Sequence, residues 1–349
     1  VLGELGSGST ARVHLAEVVD GERDLAPGLH VALKILHARF EGAPHVLRQF
    51  QQEVEVGRSL RHPNVVRLLD AGTLRLGDAT RHYLAMEYVE GRTLRELLQE
   101  EGAQAEGLCR HVGAEVANGL GAIHATGVVH CDIKPENVVL TEDEHVKVMD
   151  LGVARVRNES VRRSSSGDFV GSVLYAAPEQ FRGPSHRIDA RADLYALGLT
   201  LYELATGVHP FQRDTIEEVM PLQLSQTPRA PSAFEPRLSP FFEYVVLRLL
   251  RKAPKQRFRS AEDLRRTLEL AEESTWWRER AQVLRRFSHR RPHRPRVERE
   301  TAVYGREGEL GRLRDAWNEV LQGQGRTLVL TGEAGIGKTR LVDEFARRL

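Results

Sequence analysis

Over the first 36 residues apolar and polar positions alternate in short runs broken by turn residues. This pattern predicts three antiparallel strands, Val1–Leu5, Arg12–Val18 and His30–Leu36, with Asp20-Gly21 as a turn. The period then lengthens. Apolar residues from Val46 to Leu60 recur at helical spacing, and Val65–Asp70 and Tyr83–Glu87 are further strand-like runs. Beyond residue 90 the helical period dominates. Thr93 with Glu96 three residues on is a capping box, and Leu94, Leu97 and Leu98 give that helix an apolar side. Gly107–Thr126, Asp193–Thr206, Pro240–Arg251 and Ser260–Glu273 predict four more helices. In the last, Ser260 is the N-cap, with Glu262 and Asp263 in the first turn. A strand-rich start and a helix-rich remainder imply an α+β chain of two lobes with a cleft between them.

The longest apolar run, Leu194–Tyr202, lies between Asp193 and Glu203. It is too short to cross a bilayer and reads as a buried core helix. The 349 residues are 41% hydrophobic and 28% charged with a net charge of +1, so a soluble globular protein is expected, with no pull toward nucleic acid or membrane. Two cysteines, Cys109 and Cys131, give no disulfide framework and suit a reducing cytoplasm. The 25 residues from Trp276 to Glu300 hold nine Arg and three Glu, with Pro292 and Pro295. An Arg-rich solvated linker is expected over 274–300, the other reading being a patch for an anionic partner or a regulatory tether. Trp276, Trp277 and Phe287 are expected to pack on the preceding helix or its lobe. The chain opens without Met and stops just after a glycine loop, so a piece of a longer polypeptide is expected.

Several short strings carry chemistry. Leu5-Gly6-Ser7-Gly8-Ser9-Thr10-Ala11-Arg12-Val13 is a glycine-rich turn that lets backbone amides approach phosphate. Val31-Ala32-Leu33-Lys34 ends an apolar strand on a cation, and Glu53 on the next helix is an available partner, with Glu55 the alternative. His130-Cys131-Asp132-Ile133-Lys134-Pro135-Glu136-Asn137 is followed, after a Val-rich hairpin, by Asp150-Leu151-Gly152. Together these strings set an Asp, a Lys two residues on and an Asn five residues on in one short loop, with a second Asp after the hairpin.

In their order and spelling these strings resemble bacterial eukaryotic-like Ser/Thr protein kinases. The resemblance implies a two-lobed kinase fold over residues 1–273, with a small antiparallel β lobe and one helix at about 1–89 and a large helical lobe at about 90–273. It implies that Leu5, Gly6, Ser7 and Gly8 cover the ATP phosphates, and that Val13 and Ala32 roof the adenine. Met86 would be the gatekeeper, and the backbone of Glu87 and Val89 would hold the ring. Lys34, paired with Glu53, would contact the α and β phosphates. Asp132 would be the base, Lys134 would neutralise the γ-phosphate, and Asn137 and Asp150 would hold Mg²⁺, or Mn²⁺ in its place. Glu179 would pair with Arg257, and Asp193 would hold the catalytic loop by hydrogen bonds.

Four positions depart from the family spelling: Ala11 for the third glycine, Cys131 for Arg, Leu151 for Phe and Ser172 for Thr. Cys131 lacks the guanidinium fork that receives an activating phosphate. A weak dependence on phosphorylation of Ser160, Ser164, Ser165, Ser166 or Ser172 is therefore expected, unless Arg155, Arg162 and Arg163 form a substitute pocket.

A second glycine loop stands near the end. Apolar Thr327–Thr331 predicts a strand, Gly332-Glu333-Ala334-Gly335-Ile336-Gly337-Lys338-Thr339 follows, and Arg340–Leu349 has helical spacing. This is a Walker A arrangement in which Gly332 and Gly337 would belong to the nucleotide loop, Lys338 would meet the β and γ phosphates and Thr339 the Mg²⁺. With Val303-Tyr304-Gly305-Arg306-Glu307 it resembles the opening of signalling-type P-loop ATPase modules, so 301–349 is expected to be an incomplete α/β P-loop segment. The expected function is a cytoplasmic Ser/Thr kinase acting on proteins with Ser/Thr acceptors and coupled to its own downstream ATPase domain. The rival reading is a pseudokinase or regulatory scaffold; against it, Lys34, Asp132, Asn137 and Asp150 are all present.

Overall fold

The computed structural model describes residues 1–8, 10–21, 25–40, 43–77, 79–150, 173–181, 188–288, 305–332 and 338–348. Two units divide the chain, Val1–Val283 and Leu284–Leu349.

The first unit begins with an antiparallel sheet built from β1 (Gly3–Ser7), β2 (Ala11–Glu17), β3 (His30–Leu36), β4 (Leu68–Leu76) and β5 (Ala79–Glu87), in the order β1-β2-β3-β5-β4. Helix α1 (Pro44–Ser59) lies between β3 and β4 in the chain. A Cβ at Gly57 would come within 2.9 Å of the Leu68 Cβ, so glycine lets α1 approach β4. The strand expected at 65–70 begins later and runs longer. Residues 64–66 give their backbone to another sheet: Val66 N–H donates to Val148 O (2.9 Å), and Val148 N–H donates to Asn64 O (2.9 Å).

That second sheet comprises β6 (Arg92–Thr93), β7 (Val138–Leu140) and β8 (Val146–Val148). Around it stand α2 (Leu94–Glu101), α3 (Glu106–Ala125), α4 (Arg191–Thr206), α5 (Ile216–Ser225), α6 (Pro240–Leu249), α7 (Ala261–Leu270) and α8 (Thr275–Ser288). The capping box of α2 forms, with Glu96 N–H on Thr93 Oγ1 (3.1 Å) and Thr93 N–H on Glu96 Oε2 (2.7 Å). Every residue of α4 from Ala192 to Ala205 is buried, as suits a helix apolar on all sides at the centre of a lobe. At Gly198 a Cβ would lie 2.6 Å from the Leu249 Cβ, so α4 and α6 cross closely. Helix α5 was not evident from the sequence because Pro221 interrupts its pattern. No helix among the described residues is long and apolar enough to cross a membrane.

Helix α8 occupies the start of the expected linker. Its first turn is fastened by aromatic packing: Trp276 lies 5.5 Å from Phe258 and Trp277 lies 5.6 Å from Phe241, ring centroid to centroid. The Arg248 guanidinium stands 4.1 Å from the Phe258 ring and 5.2 Å from that of Trp276. The two Trp rings thus pack on the preceding lobe, as expected from the sequence, and Arg248 adds a cation–π contact.

In the second unit α9 (Glu307–Leu321) and α10 (Lys338–Arg348) are helical. Thr327–Thr331, expected as a strand, has no strand partner among the described residues, and Val329 is 80% exposed. An isolated strand leaves its N–H and C=O groups to water and does not hold its shape.

The aromatic anchor predicts that a chain ending at residue 273 melts below one ending at residue 288. Loss of two packed Trp side chains should cost roughly 2–3 kcal/mol, equivalent to about 5–10 °C. Equal melting temperatures by differential scanning calorimetry would show that α8 adds nothing to the lobe.

Candidate active site

Strand register sets the upper wall of the cleft. Val13 pairs with Lys34, Leu15 with Ala32, Lys34 with Leu84 and Ala32 with Met86. Because side chains alternate along a strand, these residues share one face of the sheet. Lys34 Nζ lies 3.1 Å from Glu53 Oε1 and 2.8 Å from Asp150 Oδ1. Glu55, two residues farther along α1, is exposed. Burial pulls the Lys34 ammonium down, but Asp150 and Glu53 outweigh it and hold the pKa well above the usual lysine range. Lys34 in turn draws Asp150 below its usual range, against burial. Burial pushes Glu53 up despite Lys34.

Leu5, Gly6 and Ser7 close β1 and Gly8 opens the turn to β2, all four exposed. Gly8 N–H donates to Ala11 O (2.9 Å), and His37 Nε2 donates to Gly8 O (3.0 Å). The Ala11 side chain is buried at the base of the turn, so the methyl group is accommodated. At the far end of the sheet Glu87 N–H donates to Arg67 O (2.9 Å), which fixes the exit of β5 toward Val89.

The lower wall is organised by Asp193, which is wholly buried in the first turn of α4. Its carboxylate accepts from His130 N–H (2.8 Å), Cys131 N–H (2.7 Å) and His124 Nε2 (2.8 Å). Cys131 has φ +62° and Asp150 φ +49°, a left-handed backbone that costs a side-chain-bearing residue about 1–2 kcal/mol. The Asp193 bonds offset that cost at Cys131. His130 Nδ1 accepts from Asp132 N–H (3.3 Å) and its Nε2 donates to Met149 O (3.1 Å), so these partners place the ring proton on Nε2. One imidazole thereby ties the loop of Asp132 to the residue preceding Asp150.

Within the loop Asn137 Nδ2 donates to Asp132 O (2.8 Å) and Asp132 Oδ2 (3.0 Å), and Lys134 Nζ stands 3.2 Å from Asp132 Oδ2. Asn137 N–H donates to Lys134 O (3.0 Å), and Met149 N–H donates to Asn137 O (2.9 Å). Asp132, Lys134 and Asn137 are thus brought together, and the same hydrogen bonds bring Asp150 beside them.

Farther out, Arg257 meets Glu179 through two bonds, Nη1 to Oε1 (2.6 Å) and Nη2 to Oε2 (2.8 Å), and both residues are buried. Sequence reasoning missed a second Arg. Arg95 on α2 donates to Glu136 (2.8 Å), Glu203 (2.8 Å) and the Tyr175 hydroxyl (2.7 Å), and that hydroxyl donates to Glu203. Its partners are separated by 41, 108 and 80 residues, so no local pattern betrays it.

The second glycine loop lies in the other unit. Lys338 Nζ is 2.7 Å from Gly332 O. Gly337 lies outside the described residues, as do Leu151, Gly152 and the stretch from Arg155 to Ser172 that includes the candidate phosphoacceptor serines; Thr339 is at the start of α10.

The family profile for the protein kinase domain matches residues 1–267, and that for an AAA ATPase domain matches 302–349. The chain is 36% identical over 266 residues to a probable serine/threonine-protein kinase of Streptomyces coelicolor, covering 76% of this chain and 38% of that protein. It is 36% identical over 269 residues to the serine/threonine-protein kinase PknB of Mycobacterium tuberculosis, covering 76% of this chain and 42% of that one. The chain therefore spans about two fifths of the length of these curated relatives. Among solved structures, the PknI kinase domain of Mycobacterium tuberculosis superposes with a TM-score of 0.57 at 28% identity, covering 77% of this chain and 94% of that one.

Because Asp193 serves three donors, Asp193→Ala should strip each of its acceptor and cost about 3–5 kcal/mol. Asp193→Asn, which keeps one acceptor oxygen, should cost less. Urea unfolding measures both, and a near-native midpoint for Asp193→Ala would show that the loop backbone is held by other groups.

Proposed function

The chain belongs to the protein kinase family, and on that premise we propose that residues 1–273 transfer the γ-phosphate of ATP to Ser and Thr hydroxyls of proteins. The observation that carries this reading is the placement of Lys34 between Glu53 and Asp150, at 3.1 and 2.8 Å, above a loop in which Asn137 and Lys134 both contact Asp132. A scaffold that only binds partners has no use for such a convergence of charge.

In this reading Leu5, Gly6, Ser7, Gly8, Val13 and Ala32 enclose the nucleotide, and Met86, Glu87 and Val89 border the adenine. Lys34 binds the α and β phosphates. Asp132 orients the acceptor hydroxyl and takes its proton as the oxygen bonds to the γ-phosphorus and the bond to the β,γ-bridging oxygen breaks, leaving a phosphoester and ADP. Lys134 faces the transferring group and offsets its charge. Asn137 and Asp150 offer two hard oxygen donors, a set that would suit Mg²⁺, or Mn²⁺ in its place. Asn137 turns its amide N–H groups to Asp132, which leaves its oxygen as the ligand atom. An ion held by these two residues would supply positive charge against the transferring phosphoryl group.

Residues 274–300 then connect this kinase to an ATPase-type segment at 301–349, with Gly332, Gly337, Lys338 and Thr339 as its phosphate loop. The similarity to an AAA ATPase domain over 302–349 supports that assignment. A bacterial cytoplasmic signalling protein fits the cysteine usage and the kinase relatives.

Two outcomes test the reading. Asp132→Asn should lower phosphate transfer to a Ser peptide by about 10³-fold, since it removes a positioned base and its charge. Transfer at an undiminished rate would refute the role of Asp132, and no transfer by the native chain with either metal ion would favour the pseudokinase. Calorimetric titration should find ATP binding once per chain and unaltered in Lys338→Ala, because the segment before this loop has no strand partner among the described residues to fix its amides. A second site lost in Lys338→Ala would overturn this.

A further inference from the structure

The kinase reading uses only the backbone of Glu87, yet its side chain is committed. Glu87 closes β5, and one carboxylate oxygen, Oε2, accepts from Arg67 N–H (3.1 Å). The other, Oε1, is ion-paired with Lys147 Nζ. The pair is half-buried, with 19% of the Lys147 side chain and 30% of that of Glu87 exposed. Lys147 is the middle residue of β8. Its neighbours Val146 and Val148 are buried in the lobe core, at 0% and 1% exposure, so Lys147 lies on the opposite face, beside its cross-strand partner Val139. Asp150 follows three residues later. The same strand is bonded to residues 64–66 through Val148.

A single ion pair therefore joins the segment that ends β5 to the strand that delivers Asp150. We propose that Lys147 is a positioning residue for the nucleotide: it locks the adenine-facing end of the cleft to the metal-facing end, so that Glu87 and Asp150 act as one rigid unit. This rests on the kinase reading for what occupies the cleft. The physical case is one of preorganisation. Without Lys147, the Glu87 carboxylate keeps a backbone N–H but loses its counter-charge in a half-buried place, and it relaxes toward water. The hinge backbone moves with it. ATP binding must then restore that geometry, and affinity falls by the cost of doing so.

The test is the dissociation constant of ATP with Mg²⁺, measured by titration calorimetry on the whole chain, which needs no turnover. Lys147→Met should weaken ATP by about 5–10-fold, equivalent to roughly 1–1.4 kcal/mol. Lys147→Arg, which still reaches the carboxylate, should restore affinity to within about 2-fold. In a double-mutant cycle, Glu87→Gln with Lys147→Met should be no weaker than Lys147→Met alone. Where the chain phosphorylates a Ser peptide, the KM for ATP should rise in Lys147→Met while the KM for peptide stays within about 2-fold. Unchanged ATP affinity in Lys147→Met overturns the proposal, as does additivity in the cycle. A parallel rise in both KM values with a lowered melting temperature also overturns it, since that marks general loosening. Tight, Lys147-dependent ATP binding by a chain that transfers no phosphate would support the lock while refuting the kinase reading.

Discussion

Three donors on one buried carboxylate organise this molecule. Asp193 presents two oxygens at the start of α4, and His124, His130 and Cys131 all turn to them. A carboxylate in such a place is tolerable only because its charge is spread over several hydrogen bonds. The left-handed backbone at Cys131 is tolerable for the same reason. The turn aims Asp132 out of the core, and its neighbours Lys134 and Asn137 then bond to it. Helix α4 is buried from Ala192 to Ala205, so the anchor rests on the most rigid part of the lobe.

The upper lobe is referred to the same frame through a second buried polar residue. Asn64 donates to Glu115 (2.6 Å) and to Val146 O (2.9 Å), and accepts from Asn118 (2.9 Å). A Cβ at Gly119 would stand 2.8 Å from Asn64 O, so α3 can approach only because that position is glycine. The loop after α1 is thereby fixed on α3 and β8, and α1 carries Glu53. Lys34 then closes the circuit by contacting Glu53 from one side of the cleft and Asp150 from the other. Arg95 and the Glu179–Arg257 pair fix the outer side of the lower lobe in the same manner, by satisfying each buried charge with partners from distant parts of the chain.

The two glycine-rich strings of the chain illustrate how much such support matters. Gly6 and Gly8 stand in a hairpin whose strands are paired in a five-stranded sheet. Gly332 follows a segment of equal apolar character that has no strand neighbour among the described residues, and Lys338 contacts a backbone carbonyl of its own loop. One glycine-rich string sits in a formed hairpin and the other follows an unpaired segment, because a strand is stable only as part of a sheet.

The sequence by itself determined what local rules and fixed spacings can encode. The capping box at Thr93 and Glu96, the N-cap at Ser260, the apolar run Leu194–Tyr202 of α4 and the strand patterns of β2 and β3 were legible because each depends on residues a few positions apart. The strings around Lys34, Asp132 and Asp150 were legible because the resemblance to kinases preserves their order. Only the tertiary structure decided which charges meet across long separations. Arg95 with Glu203, Lys147 with Glu87 and Asn64 with Glu115 leave no periodic trace. The structure shows which rings receive Trp276 and Trp277 and extends helix over the first part of 274–300, and Thr327–Thr331 has no strand partner among the described residues. In each case the deciding energy is burial or pairing with a distant partner, which no local window contains.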